Sequence, residues 1–407
     1  MKISQSTVVC QCCGSSFSKE AVRLPNGHLY CPNCIQLGRV SSDLALVHQK
    51  EPARIPQAVK LIWAGKLAPQ QISGSQQVSK AMKQKRNLLL WAVTGSGKTE
   101  MLFKGITAAL KSGERVAIVD VCRELYPRLQ AVFPEIDILL LYGSSEETYR
   151  YSLLTICTTH QLLRFYQAFD VLIIDEIDAF PFADNPQLAH GVAQSRLPKS
   201  SLIYLTATPS LKLLRQIKDD FMIEKIPARY HRRPLPVPKL LWWNKWRQRC
   251  ASGKKLKKLT QLLKRLLSQN RVLLFCPSIS LMEMLAEHLK KNFPELAIAT
   301  VHGNHPRREE IVTEMRENKY QLLLTTTILE RGVTFEKLSV IVLGANHRVF
   351  NQAALIQIAG RVDRKGPPSQ GEVIFIYDEM TKAMRQALRE INAMNQAGIK
   401  AGLVDEV

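Results

Sequence analysis

The sequence predicts an α/β protein: two tandem parallel-sheet domains behind a small metal-stapled unit. Three observations carry this expectation. Short aliphatic runs alternate with helical stretches twice along the chain, a glycine loop joins a strand to a helix at residues 91–100, and two C-x2-C pairs lie near the start. At 407 residues the chain has room for two or three domains, and 46% apolar residues with no low-complexity tract argue for folded structure throughout.

Residues 1–50 hold five of the nine cysteines. Cys10-x2-Cys13 and Cys31-x2-Cys34 are separated by seventeen residues, the spacing of two knuckles that face one tetrahedral zinc with four thiolates. A fold this short can hardly close a core without the metal, so zinc binding here is also folding free energy. A small hairpin is expected between the knuckles. Cys12 is left over, either replacing a neighbour or standing as a spare thiol, and His28 reads as a turn residue. Whether the ribbon touches nucleic acid or protein is not written in these residues.

Residues 41–66 give mixed signals and are expected to form a connector leading into helix. Gln76 precedes Lys98 by 22 residues, a distance at which nucleotide-dependent motors place a glutamine that reads adenine; Gln71 and Gln77 compete for the role. Residues 87–91, N-L-L-L-W, predict a buried strand, and residues 98–111 a helix. Between them runs A-V-T-G-S-G-K-T, which departs from the strict G-x4-G-K-[ST] pattern only by Ala92 in the first place. Gly95 and Gly97 let the backbone curl so that amides of Thr94, Gly95, Ser96 and Gly97 point inward, and the helix adds its positive end. Lys98 can then reach β and γ phosphates, and the Thr99 hydroxyl can ligate Mg²⁺.

Further strands are expected at 116–121, 136–141, 155–158 and 202–205. Ligands of an open α/β sheet bind at the carboxyl ends of its strands, so Arg123, Arg128, Thr158, Thr159 and Arg164 are placed for a nucleic-acid backbone. The run V-L-I-I-D-E-I-D at 171–178 delivers two adjacent carboxylates at a strand end. Asp175 can hold Mg²⁺ through water, and Glu176 can polarise the attacking water, the division of labour that in-line hydrolysis needs. Asp178 is expected to tie this site to neighbouring motifs, and T-A-T at 206–208 to sense the γ phosphate. The first domain is expected to span 51–225.

Formal net charge is +21, from 56 Lys and Arg against 35 Asp and Glu, which calls for a polyanionic partner, nucleic acid first and an acidic membrane surface second. From residue 225 to 282 there is no acidic residue against fifteen Lys and Arg, with Arg232 and Arg233 expected on a phosphate backbone and tryptophans at 242, 243 and 246 available to stack on unpaired bases. Residues 226–253 are expected to form an extended basic connector, followed by an amphipathic helix over 254–267.

A second α/β domain over 254–407 follows, with strands at 272–276, 297–301, 321–325, 339–343 and 372–376. Its strand ends carry His302, Gly303 and Thr326, further candidates for nucleic-acid contact. It has no second phosphate loop, but Arg361 and Arg364, three apart, suit arginine fingers aimed at charge that develops during hydrolysis. The start of the chain lacks the apolar core of a secretory signal and no run approaches a membrane span, so a cytosolic protein is expected, with cysteines as thiols or metal ligands.

The ordered motifs T-G-S-G-K-T, D-E-I-D, T-A-T, T-T-x-L-E-R-G-V and Q-x-x-G-R-x-x-R resemble those of superfamily 2 helicases over residues 67–407. With the four-cysteine ribbon, W-A-V-T-G-S-G-K-T-E-M-L and D-E-I-D-A-F-P-F, the chain resembles the late competence ComFA proteins, DNA-uptake ATPases of transformable Gram-positive bacteria. The resemblance implies two tandem RecA-like parallel-sheet domains behind a four-cysteine zinc ribbon. It also implies an ATP-driven translocase of single-stranded DNA on the cytosolic membrane face, working with other competence proteins and the membrane uptake channel. It implies ATP, Mg²⁺ and Zn²⁺ as cofactors, and roles for Lys98, Thr99, Asp175 and Glu176 in hydrolysis, with Gln357, Arg361 and Arg364 meeting the γ phosphate. Asp178 stands where DEAH proteins have His, and Thr334 where many RNA helicases have Asp; both depart from an RNA-helicase pattern. A PriA-type replication-restart helicase and an ATP-gated clamp or adaptor of a membrane complex are the alternatives.

Overall fold

A computed structural model describes residues 1–35, 37–48, 51–119, 122–143, 149–178, 185–327, 335–364 and 370–405, with Arg123 described by its backbone only. By contacts the chain divides into two units, Met1–Ala92 with Lys98–Ile226, and Val93–Gly97 with Pro227–Val407.

In the first unit, β1 (Lys2–Ile3), β2 (Thr7–Val9) and β3 (Ser16–Ser18) form a small antiparallel sheet. The β2–β3 pairing straddles the first C-x2-C knuckle, and a tight turn closed by the Arg23–Leu29 bridge lies between the knuckles. Residues 51–66 are not helical. They form an extended strap, fastened by Glu51 on the Arg115 guanidinium at 2.7 and 2.8 Å, Arg54 on Asp170 at 2.7 Å, and backbone bonds from Gln57 to Lys111 and Ile62 to Val132. Arg115 is 2% exposed and ringed by Tyr149, Tyr151, Phe165 and Phe169, so it is paired by charge and by aromatic faces together.

The main sheet then follows as β4 (Asn87–Ala92), β5 (Val116–Val119), β6 (Ile138–Leu141), β7 (Leu154–Cys157), β8 (Phe169–Asp175), β9 (Arg196–Thr206) and β10 (Phe221–Ile226). Among the described residues it is seven-stranded, in the order β10-β4-β9-β8-β5-β7-β6, and every pairing is parallel. Alternate side chains feed two cores: Val116, Ile118, Val171 and Ile173 point to one face, Ala117, Val119, Leu172 and Ile174 to the other. Burial of both faces explains the continuous aliphatic runs. Helices α1 (Pro69–Gln84), α2 (Lys98–Lys111) and α3 (Cys122–Val132) lay Val78, Met82, Met101, Ile106, Leu125 and Leu129 on the first face. A 3-10 turn, Thr159–Arg164, and α4 (Pro186–Ser195) cover the second; α5 (Leu211–Ile217) precedes β10.

The second unit holds β11 (Lys239–Trp242), α6 (Trp246–Ser252), α7 (Lys257–Leu267), β12 (Arg271–Phe275), α8 (Ile279–Asn292), β13 (Ile298–Val301), α9 (Arg308–Arg316), β14 (Leu322–Thr325), β15 (Leu338–Leu343), α10 (Gln352–Ala359), β16 (Val373–Tyr377) and α11 (Lys382–Lys400). Its six described strands run parallel in the order β11-β16-β15-β12-β14-β13. Part of the stretch expected to be an extended connector therefore belongs to this sheet: β11 pairs with β16, and α6 follows it. Trp243 and Trp246 are 2% and 3% exposed in the core and so are not available to stack on bases; Trp242 alone of the three is exposed, at 56%. Helix α7 starts three residues later than expected, after Gly253 and Lys255 turn through the left-handed region, and buries Leu259, Leu263 and Leu266 while its lysines face solvent.

Candidate active site

The buried run of β4 stops at Ala92 and α2 begins at Lys98, leaving five residues to reverse the chain. Gly95 and Gly97 have φ of +79° and +77°, conformations that a Cβ would oppose, and Ser96 between them is fully buried. Successive amides at a helix N-terminus in such a loop form an anion cradle, so Thr94, Gly95, Ser96 and Gly97 fit a phosphate chain.

Strand β8 brings the carboxylates to the same sheet edge. Lys98 Nζ lies 3.7 Å from Asp175 Oδ1, each side chain about 15% exposed. Burial pushes the Asp175 carboxyl above the usual carboxylate range, and the Lys98 ammonium works against that shift. The next residue, Glu176, takes φ of +51° and returns its N–H to Asp175 Oδ1 at 2.8 Å. A glutamate in the left-handed region is strained, and such strain concentrates at functional positions. Asp178 accepts hydrogen bonds from the hydroxyls of Thr206 and, at 2.6 Å, Thr208, while Thr208 N–H donates to Thr206 Oγ1 at 2.9 Å. The carboxylate strand and the T-A-T strand end are thus joined through one side chain. Residues 179–182, the A-F-P-F of the D-E-I-D-A-F-P-F stretch, lie outside the described residues.

The Thr99 hydroxyl accepts from Arg128 Nη1 at 3.3 Å, and Arg128 Nη2 bonds Glu100 at 2.6 Å. Arg128 is therefore engaged at the first turn of α2. Gln76 is exposed on α1, whereas Gln71 is 5% exposed and accepts the Ala68 N–H at 2.8 Å at the start of that helix. That bond holds the Gln71 amide in one orientation at the helix start.

In the second unit α10 carries Gln357, 3% exposed, and the turn after it carries Arg361, 4% exposed, and half-buried Arg364. Sequence reasoning overlooked Arg229, which is 1% exposed and bonds the backbone of this turn; it sits in a Pro- and Arg-rich run whose composition signals a solvated connector.

Among the nucleic-acid candidates, Thr158 and Thr159 are half-buried and Arg164 is exposed at the carboxyl end of β7. His302 and Gly303 follow β13, and Thr326 follows β14. Arg232 is paired with Asp405 at 2.8 Å, and Arg233 is half-buried beside it. The side chain of Arg123 and the strand-end motif over 328–334 lie outside the described residues.

The four expected metal ligands are buried together, with all Sγ atoms within 4.8 Å of one another; Cys10–Cys34 and Cys13–Cys31 approach to 3.8 and 3.5 Å. A tetrahedron with Zn–S near 2.3 Å has S···S edges of about 3.8 Å, so the donor set fits zinc. Cys12 stands outside it: its thiol donates to the Leu163 carbonyl at 3.6 Å. Ser15 accepts from Gln187 Nε2 at 2.9 Å, and Leu163 joins the apolar cluster of the four cysteines. The first knuckle is thereby seated on the 3-10 turn that carries Thr159 and Arg164.

Two family models match the chain, "Type III restriction enzyme, res subunit" over residues 64–211 and "Helicase conserved C-terminal domain" over 254–366. Competence protein ComFA of Bacillus subtilis is 41% identical, the match covering 93% of this chain and 82% of that protein. Competence protein ComFA of Streptococcus pneumoniae is 38% identical over 99% of this chain and 93% of its own length. The chain belongs to the ComFA family. Among solved structures, Saccharomyces cerevisiae Dbp5 bound to RNA and ADP BeF3 matches with a TM-score of 0.58 at 18% identity, covering 81% of this chain and 91% of that one, a likeness of fold. This ComFA-family chain is a competence-associated, helicase-like ATPase of superfamily 2, with tandem RecA-like domains and a cysteine cluster compatible with zinc. Helicase-type ATPase domains imply ATP and Mg²⁺. Among the described residues no helix is long and apolar enough to cross a membrane.

Proposed function

We propose that the protein is an ATP-driven translocase of single-stranded DNA that helps draw transforming DNA into the cell from the cytosolic side of the membrane. The observation that supports this most is the group Lys98, Asp175 and Glu176 at the carboxyl edge of a sheet whose other strand ends carry Thr158, Thr159 and Arg164. One edge then offers both hydrolysis and a phosphate-backbone grip.

Amides of 94–97 and the Lys98 ammonium hold the β and γ phosphates. Thr99 and Asp175 would hold Mg²⁺, which neutralises phosphate charge when bound. Glu176 accepts a proton from water as its oxygen attacks the γ phosphorus and the bond to the ADP oxygen breaks. Gln357, Arg361 and Arg364 stabilise the charge that develops on the γ oxygens. Asp178 passes the change at the carboxylates to Thr206 and Thr208. Gln71, in place of Gln76, takes the adenine-reading role. Zinc on Cys10, Cys13, Cys31 and Cys34 is structural and seats the ribbon.

ATP-dependent displacement of streptavidin from the end of a biotinylated single strand tests the proposal. Wild type should displace it and Lys98→Ala should not. Binding without displacement by an ATP-hydrolysing wild type would mark a clamp instead.

A further inference from the structure

Arg229 opens the second unit within the run Pro227-Ala228-Arg229-Tyr230-His231, and its side chain is the bulkiest of those fully buried in the described residues. Its Nη donors go to main-chain carbonyls. Nη1 bonds Val362 O at 2.9 Å and Asp363 O at 3.1 Å, and Nη2 bonds Gly360 O at 3.0 Å. His231 Nε2 reaches the same Asp363 carbonyl at 3.0 Å.

These carbonyls belong to the turn that leaves α10 and carries Arg361 and Arg364. They lie past the last turn of α10, whose carbonyls at Ile356, Ile358 and Ala359 are already taken by the N–H groups of 360, 361 and 362, and buried carbonyls need donors. A backbone N–H would satisfy one of them and a water or a side-chain amide two; a planar guanidinium satisfies three and adds a positive charge at the negative end of the helix. Asp363 within the turn has φ of +50°, a left-handed conformation that aspartate adopts more readily than most side chains. Burying a guanidinium is costly, and here it lowers the Arg229 pKa to about 9, with Asp363 opposing the shift. The segment is also fixed elsewhere: Arg232 pairs with Asp405, and Leu235 exchanges hydrogen bonds of 2.7 and 2.9 Å with the Asn395 amide.

We propose that Arg229 is the positioning residue of the arginine-finger turn, clamping the carbonyls of 360, 362 and 363 so that Arg361 and Arg364 are presented in one fixed direction. This rests on the reading that Arg361 and Arg364 act at the γ phosphate. A loosened finger turn leaves nucleotide affinity in place and slows the chemical step, since small misplacements of a charge-stabilising group cost rate rather than binding.

The test is steady-state ATPase of the full chain with single-stranded DNA, for Arg229→Lys and Arg229→Ala, with Arg361→Ala and Arg364→Ala as references and melting curves alongside. Lysine keeps the charge but cannot span three carbonyls. In Arg229→Lys the expected result is kcat lowered about ten- to a hundredfold with KM for ATP within about twofold of wild type. Added guanidinium ion should restore part of the rate to Arg229→Ala, ammonium ion should not, and Arg229→Lys should add no loss on top of Arg361→Ala. A folded Arg229→Lys with wild-type kcat, or a loss that only tracks the folded fraction, overturns the clamp. If Arg361→Ala and Arg364→Ala both keep full kcat, the finger reading itself fails, whatever Arg229 does.

Discussion

Glu176 takes a backbone conformation that glutamate rarely adopts, one residue beyond a strand that ends in a half-buried aspartate. The role proposed for it as the base predicts that Glu176→Gln lowers ATP turnover by at least about a hundredfold while a fluorescent ATP analogue still binds, which stopped-flow binding alongside turnover assays checks. Lys98 and Asp175 were legible in the sequence because phosphate chemistry demands a lysine after a glycine loop and a carboxylate after an aliphatic strand. The choice among Gln71, Gln76 and Gln77 was not, since the polar start of α1 offers no apolar stripe by which to set the helix phase until Val78. Gln71→Ala should weaken preference for ATP over other nucleoside triphosphates, and Gln76→Ala should leave it unchanged. His231 shows the opposite limit: burial, then Arg233 and Arg229, hold its pKa down to about 4. Between that value and the usual 6.5 the unfolded chain binds a proton that the folded one refuses, so stability falls as pH drops through this window. His231→Gln should make melting temperature fall less steeply from pH 6.5 to about 4.

The ribbon and the edge strand β11 show what element-level patterns reveal and hide. Four cysteines at fixed spacing announce a metal unit, but nothing in them says where it docks. Gly14 does, in retrospect: it has φ of +74°, and a Cβ there would lie 2.7 Å from the His190 ring on α4. Gly14→Ala should keep one zinc per chain and destabilise the protein by about 1–3 kcal/mol, measured by metal analysis and denaturant melts. β11 escaped notice because four residues, K-L-L-W, are too few to show a pattern within a basic run, and a strand at the sheet margin needs no long aliphatic stretch. Burial separates Trp246 from Trp242, the last residue of β11: Trp246→Ala should cost about 3–5 kcal/mol of stability, whereas Trp242→Ala, which loses the Nε1–H bond to the Asp378 carbonyl, should cost about 1 kcal/mol. If exposed Trp242 stacks on a base, its loss should weaken single-strand binding by about 1–3 kcal/mol.

Across the chain, the two parallel sheets were the most legible feature, because strands covered on both faces must be aliphatic throughout and their carboxyl ends collect the chemistry. Charge was legible as an excess but not as a map. Of the fifteen cations between residues 225 and 282, Lys239 and Arg265 share Glu372, holding its carboxyl down to about 2, and Arg232 holds Asp405. Such pairing depends on which acidic residues the fold returns from far along the chain, which no local composition can show. The measurement that bears most directly on the whole account is ATP turnover with single-stranded DNA, duplex DNA and RNA compared at one fixed salt concentration, because salt alone shifts apparent nucleic-acid preference by orders of magnitude. Single-stranded DNA should raise turnover above both other polymers, and Glu176→Gln should abolish the rise. Turnover that does not increase on adding single-stranded DNA would contradict the translocase.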